Sequence, residues 1–542
     1  MTTRRSFLKT SSLTAVAGLG GVAEAVFANT TLPSAWDLST EIVVAGSGPA
    51  GMGAAVTAID NNAKVLIFEK GKNYGGCGVI SAGILKLEGG TRSQKAAGIQ
   101  DSVEQYYKRL TNPNEDLSRA ERMGNQELLV KKVERTAAFE DWAINHGVKF
   151  RPGLTTAGVD SQHPGMWHHV WWKDGGEGRN MIPPNKDGYV TGAGLMLPLK
   201  EYFESKGGRI YLEHKVTSVI KDANGRVIGV EVLSPDGKIL KVRATKGVVL
   251  AGGGFKGNVP MRMLFDARMT KNMIATGEPF VFQDGSAIKV GVKAGGFMVR
   301  DGNRPHSNFR RKFGTIHYNF PLNSPYGAPG LDVAGNRWNQ IIFTNKNGDR
   351  FVQEVDKWDL GTGYNFYDLA LAQPDQLIWT IFDDATAKKY RWSTKPPVCE
   401  EGLAFDANTL DELGKLTNQP NLAQTVERYN NFVDTKADSD FGRPAATMTK
   451  KIEKAPFHAV RCVLAVHNIS AGLAINGDGQ VIDIDLQPIP GLYAAGESAG
   501  GIGGGVTGSM IVGQIAAEHL TCLLYTSPSP RDSTSSRMPS SA

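Results

Sequence analysis

Three glycines and one carboxylate make the first candidate site: Gly46-Ser-Gly48-Pro-Ala50-Gly51, with Glu69 eighteen residues after Gly51. At that spacing the first glycine allows a tight turn and the second lets the backbone approach a pyrophosphate. The third lets a helix pack closely on the strand before it. The N-terminus of that helix faces phosphate charge with unpaired N–H groups and the positive end of its dipole. A carboxylate at Glu69 can accept hydrogen bonds from an adenosine ribose. Gly46, Gly48, Ala50, Gly51 and Glu69 are therefore candidate dinucleotide-binding residues. A lone glycine triplet is weak evidence in a chain with 64 glycines, so the flanking elements decide.

Those elements are in register with the motif. Ile42 to Ala45 reads as a buried strand running into the first glycine. A small-residue helix is expected from Met52 to about Ile59, and a second apolar strand, Lys64 to Phe68, ends on Glu69. Strand, glycine turn, helix, strand and acid form one mononucleotide-binding unit.

Downstream, Lys70 leads to Gly75-Gly76-Cys77-Gly78 and then to Ser81-Ala-Gly83. Near the other end lies Gly491-Leu-Tyr-Ala-Ala-Gly496-Glu497, followed by a glycine-rich loop and a helix expected over Gly508 to His519. Together these motifs resemble the flavoprotein family of soluble fumarate reductases, with the related 3-ketosteroid dehydrogenases and urocanate reductases. The resemblance covers roughly 40–300 and 456–521 and is weaker between them. It implies FAD, with the 75–83 loop running past the pyrophosphate to the isoalloxazine ring. No histidine lies in that loop, so the cofactor is expected to be non-covalent. The resemblance further implies cofactor contacts from Lys70, Gly76, Cys77, Gly78, Gly83, Val216, Ala251, Gly252 and Asp284. It adds Gly496, Glu497, Ser509, Met510 and Ile511, with Glu497 on the ribityl chain. A helix N-terminus at Gly508 and Ser509, roughly half a positive charge, would stabilise the anion formed when flavin is reduced. Cys77 could be redox-active there, or simply a small packed residue.

The fold expected is α/β: a two-dinucleotide-binding-fold, Rossmann-like FAD domain (40–298 and 456–521) with an inserted α+β substrate cap domain (299–455). Helices are expected within 100–147 and over Leu195 to Lys206. Strands follow at Ile210 to Leu212, Val216 to Lys221, Val227 to Leu233, Ile239 to Ala244 and Gly247 to Leu250, with Asn224-Gly225 and Asp236-Gly237 as turns. Asp284-Gly285 is expected to cap a helix over Ser286 to Ala294. In the cap, a strand from Gln340 to Asn345 should turn at Asn347-Gly348 and continue through Arg350 to Glu354, with a helix over Leu422 to Thr435. The aromatic stretch with His163, Trp167, His168, His169, Trp171 and Trp172 either lines a substrate entrance or covers the sheet. Adjacent His168 and His169 would point to opposite faces of a strand, which argues against metal binding.

The resemblance carries over to catalysis only in part. His467 falls where fumarate reductases keep a substrate-contacting histidine, though a hydrogen-bonded interface histidine is the alternative. Arg337 matches a relay arginine 21 positions before the proton-donating arginine, but the donor position holds Trp358. The second carboxylate-binding arginine is missing, since residues 500–508 carry no basic side chain. A small dicarboxylate needs arginine forks at both ends, so fumarate and succinate are argued against. Tyr364 and Tyr367 lie just beyond Trp358 and could donate the proton, although each taken alone reads more readily as structural. The expected reaction passes a hydride between flavin N5 and a CH–CH or C=C unit next to a carbonyl or carboxylate, as an ene-reductase or dehydrogenase. The substrate is expected to be larger and less charged than fumarate, such as an aryl-enoate or a ketosteroid-like ring. A 3-ketosteroid-type dehydrogenase, an NAD enzyme using the first fold alone, and an exported flavin electron carrier without its own small substrate are the alternatives.

The remaining features bound cell context and partners. Met1 to Thr30 has a basic end and a mild apolar stretch, and Thr3-Arg4-Arg5-Ser6-Phe7-Leu8-Lys9 resembles the twin-arginine export motif. Residues 1–29 are expected to be a signal peptide and the protein to work in the periplasm or outside the cell, after the twin-arginine machinery. The net charge of +6 includes Arg4, Arg5 and Lys9 near one end and Arg531 and Arg537 near the other. What remains is too small and scattered for nucleic-acid binding. No window approaches a membrane span. Cys77, Cys399, Cys462 and Cys522 show no metal or haem spacing. With no electron-carrier domain legible, a separate cytochrome or quinone-linked redox partner is expected beside the small-molecule substrate. The Ser- and Pro-rich stretch 522–542 is expected to be a disordered, non-native tail.

Overall fold

Ile42, Val43 and Val44 have no exposed surface, because their strand, Leu38–Ala45, lies inside a parallel sheet covered on both faces. The computed structural model describes residues 33–522 apart from 82, 112–124, 152–153, 155–166, 173–188, 191, 276, 278–280, 282, 300–315, 320–337, 356–365, 390–403, 467–468, 470 and 502–504. The sheet runs Gln480–Ile482, Pro488–Ala494, Ile239–Leu250, Leu38–Ala45, Val65–Phe68, Arg209–Tyr211. From Pro488–Ala494 to Arg209–Tyr211 every neighbour is parallel. The register pairs Ala45 with both Phe68 and Leu250, and Leu250 with Ala494. The carboxyl ends of these strands therefore align along one edge, where open α/β sheets bind ligands.

Ile239–Leu250 is a single strand, not the two expected from its sequence. Its first half pairs antiparallel with Val227–Leu233 and its second half parallel with Leu38–Ala45. The half-exposed part alternates polar and apolar residues, while Gly247 to Leu250 is covered on both faces and reads as a separate apolar run. At the junction a Cβ on Gly247 would stand 2.6 Å from Gly491 O, so glycine marks close packing there and no break.

The first helix, Pro49–Asp60, starts with proline at N1 and is buried from Ala50 to Ala58. It crosses the closing helix, Gly505–Cys522, at backbone contact: a Cβ on Gly53 would lie 2.2 Å from Met510 O, and one on Gly513 2.1 Å from Ala50 O. Small residues on both helices are what bring the two ends of the chain together. The closing helix begins at Gly505, a turn before the expected Gly508. Packing of buried Thr507 and Gly508 outweighs the poor helix propensity of glycine.

A second sheet is built on Phe457–Val466, which pairs with Ile274–Ala275, Ile316–Asn319, Ile378–Asp383 and Ala404–Ala407; Ile342–Asn345 adds beyond Ile378–Asp383. It draws strands from both sides of 299–455. The helix Leu422–Thr435 buries Leu422, Val426, Tyr429, Phe432 and Val433, a one-faced stripe at helical spacing. The expected strand through Arg350 to Glu354 is reduced to a bridge between Thr344 and Arg350. Arg350 and Glu354 turn inward instead: Arg350 pairs with Glu354 at 2.7 Å and Asp438 at 3.0 Å, and Arg443 with Glu354 at 3.0 Å. Satisfying those buried charges outweighs extending the ladder. Among the described residues no helix is long and apolar enough to cross a membrane.

Candidate functional site

Backbone hydrogen bonds tie the strand ends into one rim. Glu69 N donates to Tyr211 O, Gly46 N to Phe68 O, Ala251 N to Ala45 O and Ala495 N to Leu250 O, at 2.8 to 3.0 Å. Gly46, Glu69, Ala251 and Gly496 thus emerge side by side although they are distant in sequence.

Each glycine of the turn has its own mechanical role. Gly46 has φ +113, and a Cβ there would stand 2.5 Å from Ala251 O. A Cβ on Gly51 would sit 1.9 Å from Gly46 O. Gly48 differs: a Cβ there would meet nothing within 4 Å. Open space over Gly48 at the start of Pro49–Asp60 is the opening a pyrophosphate needs. The expected next loop lies directly on this turn, since a Cβ on Gly76 would be 3.3 Å from Gly48 Cα and one on Gly78 2.6 Å from Pro49 Cγ.

Glu69 is held by three donors, Ser47 N at 2.8 Å, Ser47 Oγ at 2.9 Å and Gly71 N at 2.8 Å. Ser47 Oγ also accepts from Gly75 N at 3.0 Å, so one hydroxyl links acid, turn and loop. Ser47 escaped the sequence reading, although it stands between the first two glycines. Lys70 forms an ion pair with Asp284, and Lys215 approaches the same carboxylate at 3.4 Å. Burial alone would raise the Asp284 carboxyl, but the hydrogen bond and charge of Lys70, together with Ser286, hold it well below the usual carboxylate range. Val216 stands beside Lys215 on the strand Lys215–Lys221 and is buried. Gly83 has φ +69, and its carbonyl accepts from Val170 N at 2.9 Å.

On the other side of the rim, Gly496 adopts φ +63 with a virtual Cβ 2.8 Å from Ala50 Cβ and 3.4 Å from Ser509 Cβ. Ser509, Met510 and Ile511 therefore back the first helix, and Met510 and Ile511 are fully buried. Glu497 Oε2 is buried without a hydrogen-bond partner, and so is Gln283 Oε1. Burial pushes the Glu497 carboxyl up, with Lys256 partly offsetting it. Gly252 and Gly254 keep this wall thin, since a Cβ on Gly254 would meet Glu497 Oε2 at 3.0 Å. Cys77 Sγ accepts from Lys256 Nζ at 3.5 Å and Gln283 Nε2 at 3.7 Å; burial pushes its thiol up. Lys256 and Gln283 were not singled out from sequence. Lys256 is nevertheless the only cation in Gly252-Gly-Gly-Phe-Lys-Gly-Asn258, directly after a strand end.

The donor set suits a dinucleotide with a polyhydroxyl arm: an open glycine turn at a helix N-terminus, a fixed carboxylate, and two buried acceptors awaiting donors. Of the expected cofactor residues, Gly46, Glu69, Ala251 and Gly496 stand on this rim, and Gly76, Gly78 and Ser509 approach the turn, the first helix and Gly496. His467, Arg337 and Tyr364, like Trp358, lie outside the described residues, and Tyr367 is described only as backbone of the helix Phe366–Leu371. Within the aromatic stretch, His168 is buried, with Nε2 2.9 Å from Thr91 Oγ1 and 3.7 Å from Glu140 Oε2. That makes it a core histidine. Among the described residues no group of His, Cys, Asp or Glu is placed to hold a metal.

Residues 41–304 and 328–509 match the family described as FAD binding domain. The chain is 29% identical over 470 residues to the NADH:fumarate oxidoreductase of Klebsiella pneumoniae, covering 86% of this chain but only 45% of that protein. It is 27% identical over 522 residues to the acrylate reductase flavoprotein subunit of Shewanella woodyi, covering 92% of this chain and 93% of that one. In structure it is similar to the open conformation of a flavocytochrome c3 fumarate reductase, with a TM-score of 0.71, 24% identity, and coverage of 90% of this chain and 78% of that one.

Proposed function

The chain belongs to the FAD binding domain family, and from that premise we propose that it is an FAD-dependent oxidoreductase acting on a CH–CH or C=C unit next to a carbonyl or carboxylate. Bound FAD would supply the two-electron chemistry. The chain's own residues seat it: the Gly46–Gly51 turn takes the pyrophosphate, Glu69 the ribose, and Glu497 a hydroxyl of the ribityl arm. The observation that carries this reading is the convergence of Glu69 and the partnerless Glu497 Oε2 on one sheet edge, from opposite ends of the chain.

The substrate we assign is an α,β-unsaturated acid or ketone larger and less charged than fumarate. Trp358 at the expected donor position, and the absence of a basic side chain in 500–508, remove the two arginines a dicarboxylate would need. Tyr364 and Tyr367 are the proposed proton donors, His467 the proposed contact to the substrate carbonyl, and Arg337 the relay. Export by the twin-arginine route, a periplasmic or external site of action and a cytochrome or quinone-linked electron partner complete the proposal. The relatives named above are reductases of fumarate and acrylate by their names, which supports the reaction class.

The test is anaerobic reoxidation of the reduced holoprotein by a panel of enoates, enones, steroids and fumarate. Reoxidation by an aryl-enoate or enone, with none by fumarate, is expected. Fast reoxidation by fumarate would overturn the substrate assignment. Reoxidation only by a redox protein would favour an electron carrier.

A further inference from the structure

Lys256 lies next to Cys77 with 2% of its surface exposed, an uncommon setting for a lysine. Its backbone is fixed by Arg262, which is 1% exposed. That guanidinium donates to Lys256 O at 2.7 Å, Met269 O at 2.8 Å and Met273 O at 2.6 Å. The Lys256 ammonium stands 3.5 Å from Cys77 Sγ, and its charge lowers the ionisations of both Cys77 and Glu497 against the opposing effect of burial. Segments 75–79, 252–257, 283 and 496–498 therefore bring together one cluster around buried Lys256 and Gln283, with Cys77 and Glu497 half-buried. It contains an ammonium, a thiol, and the two partnerless acceptors Glu497 Oε2 and Gln283 Oε1.

We propose that Lys256 is the fixed positive charge of the flavin cleft and raises the reduction potential of the bound cofactor. The proposal rests on the FAD reading above. Two-electron reduction with uptake of one proton leaves the flavin ring with one added negative charge. A nearby cation shielded from water stabilises that added charge. Only a differential interaction shifts the equilibrium, because a cation that held both redox states equally would change affinity alone. The role assigned to Lys256 is electrostatic: it exchanges no electron with the flavin.

The experiment is the midpoint potential of the holoprotein by spectroelectrochemical titration, for wild type, Lys256→Met and Lys256→Arg. Lys256→Met is expected to move the oxidised-to-reduced equilibrium at least tenfold towards oxidised flavin, about 30 mV for a two-electron couple. Lys256→Arg is expected to stay close to wild type. In the apoproteins, thiol titration is expected to show Cys77 ionising at higher pH in Lys256→Met. If Lys256→Met does not fold, Lys256→Gln carries the same expectation. An unchanged potential, or weaker binding of both redox states without a shift, overturns the proposal. A wild-type protein that takes up no flavin would instead overturn the reading on which it rests.

Discussion

One methyl group added at two glycines of the same turn separates folding from ligand seating. At Gly51 a Cβ would stand 1.9 Å from Gly46 O, and 3.2 Å from Val44 Cγ1. Ordinary contact is about 3.5 Å, so the helix would have to back off the strand. Overpacking costs about 1–3 kcal/mol. The main contact is with a backbone carbonyl and cannot be relieved by a rotamer change, so Gly51→Ala should reach the upper end of that range. At Gly48 φ is −67 and a Cβ would meet nothing within 4 Å. Gly48→Ala apoprotein should therefore be as stable as wild type, or more stable by about 0.4–1 kcal/mol through the unfolded chain. Its methyl instead occupies the space assigned to the pyrophosphate. Losing one charge-assisted hydrogen bond there costs about 1.5–3 kcal/mol, or roughly ten- to hundredfold in Kd. Urea unfolding of the apoproteins and flavin-fluorescence titration read the two effects apart. Unchanged FAD affinity in Gly48→Ala, or equal destabilisation of both variants, would refute the reasoning.

Other outcomes follow from buried charge and from the proposed catalysis. His146 faces Asp60 Oδ2 at 2.9 Å through Nε2 and Trp142 O at 2.6 Å through Nδ1. Both are acceptors, so the imidazolium satisfies them best. Burial alone would lower the His146 pKa, but Asp60 and the Trp142 carbonyl raise it above 6.5. The stabilisation is therefore complete below that value and lost as pH rises through the folded pKa. Wild type should lose its stability advantage over His146→Asn as pH is raised from 6.5, and a pH-independent difference in urea unfolding would contradict this. Arg443→Met leaves Glu354, with no exposed surface, short of a partner and should cost about 3–5 kcal/mol; a change below about 1 kcal/mol would show the cluster tolerates the loss. Of Tyr364→Phe, Tyr367→Phe and His467→Gln, at least one should lower the rate of substrate-driven reoxidation by roughly 100-fold or more. Undiminished rates in all three would remove the assignment.

The nucleotide-binding elements were legible because each carries its own physical signature. Gly46, Gly48 and Gly51 differ in what a side chain would meet, and the apolar runs reflect strands covered on both faces. Ser47 and Lys256 were not legible, because their roles depend on loops that meet only in the fold. The strand expected over Arg350 to Glu354 failed for a related reason. Phe351 and Val352 directly after the Asn347-Gly348 turn read as a returning strand, but the partners that turn Arg350 and Glu354 inward, Asp438 and Arg443, lie far along the chain. The continuous strand Ile239–Leu250 was split in sequence by a change in burial, not by a break in structure.

The central claim is that Glu69 and Glu497, from opposite ends of the chain, hold one FAD. FAD titration of the apoprotein, with Glu69→Gln and Glu497→Gln alongside wild type, tests it most directly. One FAD per chain in wild type, with both variants weakened for that same site, is the outcome expected. A colourless protein, or full affinity retained in either variant, would contradict it.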